Sequence, residues 1–282
     1  MSKAKSSAAY AGMQLQTINN LTKYGVTIEG PLSSGFKEKV AESFSAPTHV
    51  ESDLEKYSVV LSNRSPQHVL AMTVVWRFEG AAGKSIPHIT TIEAIDGTLN
   101  NVSHNLIQAG TSRAFCLLAN NGGLDTPYGQ ATTIKDDEYT QSRRNQLNDL
   151  LARSTKWSIE IDSILLSNGL FVGRDTAGRF DTLKSKIQGA RDLAAELQGK
   201  SNDAGSFLAH AQAVTGVSRE DLEKKYLDIR ARLKSPAYFY EESRRQFALR
   251  VLAERNSSGQ AAALDFVNNS LKNQVAIVRK TD

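Results

Sequence analysis

At 282 residues the chain has room for one large or two ordinary domains, and 40 % hydrophobic residues suit a packed core rather than a disordered tract. The net charge of +4 is a mild basic excess that lies in the second part: Lys and Arg against Asp and Glu number 15 to 16 in residues 1–173 and 19 to 14 in residues 174–282. One cysteine, Cys116, excludes a disulfide framework, and the sequence offers neither a secretory signal over Met1–Tyr10 nor an apolar run of the roughly 18 residues that cross a bilayer, so it reads as soluble with no transmembrane segment and cytoplasmic by default.

Residues 1–49 read as a flexible leader over 1–11, two short alternating stretches (Met13–Ile18 and Tyr24–Ile28) that suit edge strands, and a short helix through Phe36, Val40 and Phe44. A β domain is expected over 50–173. Tyr57, Val59 and Leu61 alternate with Ser58, Val60 and Ser62, and Asn63–Pro66 supplies a turn. In the strand Val69–Phe78, Leu70, Met72, Val74, Trp76 and Phe78 share a core face, while Val69, Ala71, Thr73, Val75 and Arg77 make a partly wet one. Further strands are expected at Ile89–Ile95 and Ser112–Leu118. Residues 119–153 interrupt the pattern as a helical insertion, with Asp136-Asp137 ahead of a helix. Alternation resumes at Trp157, Ile159 and Ile161, slips at Ser163 as a β-bulge would make it, and returns through Asn168-Gly169, with positive φ at both turn positions, into Leu170–Val172.

Past Gly173 the period becomes helical. Leu183, Ile187, Ala190, Ala194 and Leu197 form a stripe behind a cap at Asp181. A short helix spans about 204–214 and stops at Gly216. Ser218–Asp221 opens another, with Leu222, Tyr226, Ile229 and Leu233 in one stripe. Ser235-Pro236 starts a helix carrying Tyr240, Phe247 and Val251, and Ser257–Gln260 starts one carrying Leu264, Val267, Leu271, Val275 and Val278. The fold class expected is therefore α+β, with a helical bundle over 180–282 after the β domain.

The segment Tyr57–Ser65 followed by the Trp76 strand resembles the paired strands of immunoglobulin-like β-sandwiches. Trp157–Ser163, closing with Asn168-Gly169 and then a helix, is similar to bacterial proteins of no assigned activity that carry such a sandwich. The resemblance spans about residues 50–180 and implies an immunoglobulin-like sandwich; it brings no functional residues with it.

Candidate chemistry is sparse. Gly80-Ala81-Ala82-Gly83-Lys84-Ser85 ends like a phosphate-binding loop, but Phe78 stands where its first glycine belongs and Ile86–Thr90 reads as extended rather than helical, so a glycine-rich strand connection is expected. His49, His68, His88, His104 and His210 are scattered without ligand spacing, and Asp136-Asp137-Glu138 lacks the geometry of a calcium loop. Cys116 lies in an apolar run and reads as an inert core thiol. Glu160 and Asp162 share a strand face, suited to acid–base work but expected as polar residues on a solvated sheet face. Asp175 and Asp181 are read as turn and cap residues. Arg230, Arg232, Lys234, Arg244, Arg245, Arg250 and Arg255 are interleaved with Asp228, Glu241, Glu242 and Glu254, the pattern of solvated helix faces with ion pairs.

These features lead to a non-enzymatic binding or structural module, with no catalytic residue, metal or cofactor assigned. The helical part, with its aromatics Tyr226, Tyr238, Phe239, Tyr240 and Phe247, is the expected surface for another protein. The alternatives are an enzyme whose site, lined by His88, His104 or Glu160, lies at the domain junction, or binding of an anionic surface or nucleic acid by the basic helical tail.

Overall fold

The computed structural model describes residues 15–80, 83–95, 106–123, 130–228, 233–272 and 276–280. It is an α+β protein whose described residues fall into two compact units, the first made of residues 15–94, 106–177 and Lys280, the second of Ile95 and the described residues of 178–279. The leader expected at 1–11 lies outside the described residues, as do His104, Ile229, Arg230, Arg232 and Val275.

The first unit runs β1 (Leu15–Ile18), β2 (Val26–Glu29), helix α1 (Phe36–Ser43), β3 (Phe44–Ser45), α2 (Thr48–Leu54), β4 (Ser58–Asn63), β5 (Val69–Gly80), β6 (Ser85–Glu93), β7 (Thr111–Cys116), β8 (Thr132–Thr133), α3 (Glu138–Ala152), β9 (Ser154–Leu166) and β10 (Leu170–Gly173). One sheet has the order β10-β9-β5-β6, with β1 parallel to β9; the other has the order β2-β4-β7, and β3 and β8 form a short parallel pair. The two larger sheets share one core. Trp76 of β5 lies in it between Phe115 of β7 and Trp157 of β9, with ring centroids 6.4 and 5.6 Å away.

The turn after β4 is not a hairpin: β4 pairs with β2 and β7, and β5 with β6 and β9. The chain changes sheet at Asn63, which is fully buried. Its amide donates to the carbonyls of Gln67 (2.8 Å) and Gln108 (3.2 Å), and its Oδ1 accepts from the Ser65 hydroxyl (2.7 Å), so one side chain satisfies a corner that no ladder serves.

Three register shifts set the phase of the long strands β5 and β9, the one between Glu79 and Gly80 leaving Thr155 as the extra residue. Where Thr73 pairs with Ser163 and Val74 with Ile161, Asp162 is the extra residue, as the slip in alternation requires. The shift between Val69 and Ala71 makes Leu70 the extra residue on β5; Val69 joins the core cluster and Leu70, though buried, does not. The expected wet face of β5 is also dry: Ala71, Thr73 and Val75 are each 1 % exposed.

β9 returns to β10 through three residues, Ser167–Gly169, with only Gly169 at positive φ (83°). Asn168 instead accepts the Leu170 amide on its side chain, so the two-residue turn expected there is replaced by a three-residue one.

The second unit contains α4 (Arg179–Gln198), α5 (Ala204–Thr215), α6 (Arg219–Tyr226), the two-residue strands β11 (Leu227–Asp228) and β12 (Leu233–Lys234), and α7 (Pro236–Lys272). α4 is capped by Gly178 in the left-handed region, and Asp181 sits inside its first turn rather than at the cap. Asp203 and Ser218 cap α5 and α6 by accepting amide hydrogens. The stripe expected from Leu222 to Leu233 is not one helix. α6 ends at Tyr226 and the chain doubles back, held by Lys234 bonding Glu223 at 2.6 Å. Within α7, Gly259 (φ 91°, ψ 177°) breaks the helix where the Ser257–Gln260 start signal falls. A straight helix would separate Phe247 from Phe266 by about 28 Å; their rings are 5.3 Å apart, so the two halves of α7 fold onto each other.

Candidate functional site

Glu160 and Asp162 stand on β9 beside the bulge, and neither is solvated: they are 3 % and 0 % exposed. A buried carboxylate is tolerated only with partners, and the first unit supplies them. Arg77, one strand over on β5, donates to Glu160 Oε1 at 2.9 Å through Nη2 and at 3.3 Å through Nε. Arg174, just past β10, pairs with Oε2.

The bulge turns Asp162 toward the same linker. Its carbonyl accepts the Arg174 amide at 2.8 Å and its Oδ1 accepts the Thr176 hydroxyl at 2.7 Å. Oδ2 is buried with no hydrogen-bond partner. Gly173 allows this approach: its φ is 112°, and a Cβ there would collide with the Asp162 carbonyl and lie 2.8 Å from Ser163 Cα. Asp175 follows at φ 58° and is 9 % exposed. The arrangement fixes the chain leaving β10 to the middle of β9.

The remaining candidates do not converge on that cluster. His88 pairs in register with Trp76, whereas Glu160 pairs with the adjacent Val75, so His88 and Glu160 occupy opposite faces of the sheet. His88 Nε2 lies 2.5 Å from Arg143 Nη2 of α3, whose Nε donates to the Leu117 carbonyl; the guanidinium thus joins β6 to the end of β7. Burial, and then Arg143, hold the His88 pKa below the ordinary imidazole value. His49 pairs with Asp136, and His68 Nδ1 accepts the Ala109 amide.

Asp137 caps α3 by accepting the Thr140 amide at 2.9 Å. Gly80-Ala81-Ala82-Gly83-Lys84-Ser85 connects β5 to β6, closed by the Gly80 amide donating to the Lys84 carbonyl at 3.0 Å; Ala81 and Ala82 lie outside the described residues. Cys116 is fully buried, and that burial pushes its thiol pKa up. Among the described residues no group of three or more His, Cys, Asp or Glu is placed to hold a metal ion, and no helix is long and apolar enough to cross a membrane.

In the helical unit several of the basic residues are tied to acids. Arg244 makes two 2.8 Å bonds to Glu196, which His210 also approaches at 2.8 Å. The Arg244 bond, chiefly, lowers the Glu196 pKa to about 2. Arg245 pairs with Glu242, and Lys234 with Glu223. Tyr238 and Phe247 are buried rather than displayed. Lys186 of α4, lying over the Phe239 ring, has its pKa lowered by burial to about 8.

The partners of Glu160 escape a sequence reading, although Arg77 carries a signal: it is the one charge in the ten-residue strand Val69–Phe78, whose other residues are apolar save Thr73. Nothing in the sequence paired it with Arg174.

A cavity of about 360 Å³ in the first unit is lined by Glu42, Ser43, Ser112, Arg113, Ala114, Gly123 and Gln130. Arg113 is engaged there, donating to the Gly123 carbonyl at 2.9 Å. No family model, no curated protein and no solved structure matches the chain.

Proposed function

We propose that the chain is a non-enzymatic binding module, an immunoglobulin-like sandwich joined to a helical region that takes another protein as partner. For the sandwich, the supporting observation is strand order. β2-β4-β7 opposite β10-β9-β5-β6 corresponds to strands A-B-E opposite G-F-C-C′, with the chain changing sheets between B and C and a buried Trp on C.

For a binding rather than a catalytic role, the observation that carries the reading is how the paired carboxylates are used. Both Glu160 oxygens are taken by guanidiniums, and Asp162 Oδ1 by a hydroxyl. A general acid or base must reach a substrate proton; these reach the neighbouring strand β5 and the protein's own linker. The acid-paired arginines of the helical unit favour a protein over a polyanion, which needs uncompensated cations.

The test is proximity crosslinking of the full chain in its source cells, with the native protein and with Glu160→Gln. Recovery of the same protein partner by both supports the module. A small-molecule turnover lost in a Glu160→Gln variant that keeps its melting temperature would overturn it.

A further inference from the structure

β6 is an edge strand: among the described residues its one strand neighbour is β5. Two bonds fix which of its backbone groups face outward. The Gly80 amide donates to the Lys84 carbonyl at one end of the β5–β6 ladder, and the Ala94 amide to the Leu70 carbonyl at the other. With the one-to-one register between them, even-numbered β6 residues bond to β5, while Ser85, Pro87, Ile89 and Thr91 direct their main-chain groups away from it. Pro87, which has no N–H, falls at an outward position, where no bond to β5 is lost.

This edge has the makings of a pairing surface. Ser85-Ile86-Pro87-His88-Ile89-Thr90-Thr91-Ile92 contains no Lys, Arg, Asp or Glu and is rich in β-branched residues. Ile86 and Ile89 are 55 % and 43 % exposed. Edge strands are usually guarded by charge or shortness; this one has nine residues and a single proline near its start.

Its charges sit at the two ends, Lys84 just before the strand and Glu93 as its last residue. That asymmetry distinguishes occupants. Antiparallel pairing with an identical strand sets Lys84 of one protomer near Glu93 of its partner at both ends, whereas parallel pairing superposes like charges.

We propose that β6 is a self-association edge, pairing antiparallel with β6 of a second copy of this chain about a two-fold axis near Ile89. The symmetric arrangement is isologous and closed. It joins the larger sheets of two copies into one and brings the exposed Ile89 side chains of the two copies side by side. The pairing edge lies one strand over from the Glu160 cluster, whose Arg77 is the register partner of Pro87, and it does not depend on the identity of any other partner.

Sedimentation equilibrium of the full chain over a concentration series tests this. The mass should rise toward that of a dimer, and Ile89→Lys, which sets like charges across the axis, should stay monomeric with its melting temperature retained. Lys84→Glu or Glu93→Lys alone should weaken association several-fold, and the two together should restore it, because only antiparallel self-pairing reunites swapped charges. A monomer throughout the series, a dimer indifferent to Ile89→Lys, or a double swap that fails to rescue would each overturn the proposal.

Discussion

Glu160 is held by two arginine side chains of unequal exposure, Arg77 at 32 % and Arg174 at 56 %, against 4 % for the Glu160 side chain. Each arginine can therefore be lost more cheaply than both. Arg77→Leu or Arg174→Leu alone leaves Glu160 one charged partner; the double substitution strands a buried carboxylate with none. The expected result is non-additive, the double variant losing about 1–3 kcal/mol more than the sum of the singles, measured by urea denaturation. Equal additivity would mean that the pairs act separately.

His88 gives a second residue-level expectation, in pH. Its folded pKa lies below the ordinary 6.5, through burial and then Arg143, because a charged imidazole would face a guanidinium that now donates to it. The unfolded chain therefore takes the proton first. The contribution of neutral His88 to stability is full above pH 6.5 and is lost as pH falls from there toward the folded value. The drop in urea midpoint between pH 7.5 and the acid side of 6.5 should shrink in His88→Gln; an unchanged drop would assign it to other groups.

At the scale of elements, what the sequence made legible was periodicity, and what it hid was pairing. The alternation of β9 and its slip at Ser163 marked a strand and a bulge, because a period of two is written in one segment alone. That β4 and β5 part into different sheets is decided by Asn63 reaching Gln67 and Gln108, a contact 45 residues long in its further arm that no local pattern encodes. The helix expected from Leu222 to Leu233 failed for a related reason: its apolar spacing was helical, but the Glu223–Lys234 pair and the pre-proline Ser235 turned the chain back. The polar face of β9 is dry because two arginines reach it, one from β5 and one from the linker, and the local pattern of β9 names neither.

Gly189 shows the same conflict with opposite signs. In the interior of α4, replacing Gly by Ala gains about 1 kcal/mol in helix propensity. A Cβ at this position, however, would collide with the Tyr240 carbonyl of α7 and lie 3.0 Å from its carbonyl carbon. The obstacle is backbone, so only a shift of the whole helix relieves it. Packing should win over propensity, with Gly189→Ala lowering the melting temperature while a control Gly205→Ala, whose Cβ would meet only the end of the Asp203 side chain at 3.3 Å, moves it less.

For the molecule as a whole, the chain's two tryptophans, Trp76 and Trp157, and its single cysteine belong to one core cluster in the first unit. Phe115, stacked on Trp76, is the immediate neighbour of Cys116 in β7. Two optical and chemical probes therefore report the same cooperative body. Burial disfavours the thiolate at Cys116, and it is the thiolate that attacks a thiol reagent, so labelling requires that this core open. Along a urea titration, the fraction of Cys116 labelled in a short pulse should follow the red shift of tryptophan emission with a common midpoint. Labelling that precedes the fluorescence change would mean that β7 detaches before the Trp76 core is lost, and the sheet β2-β4-β7 would then be a separate, weaker cooperative layer rather than half of a single core.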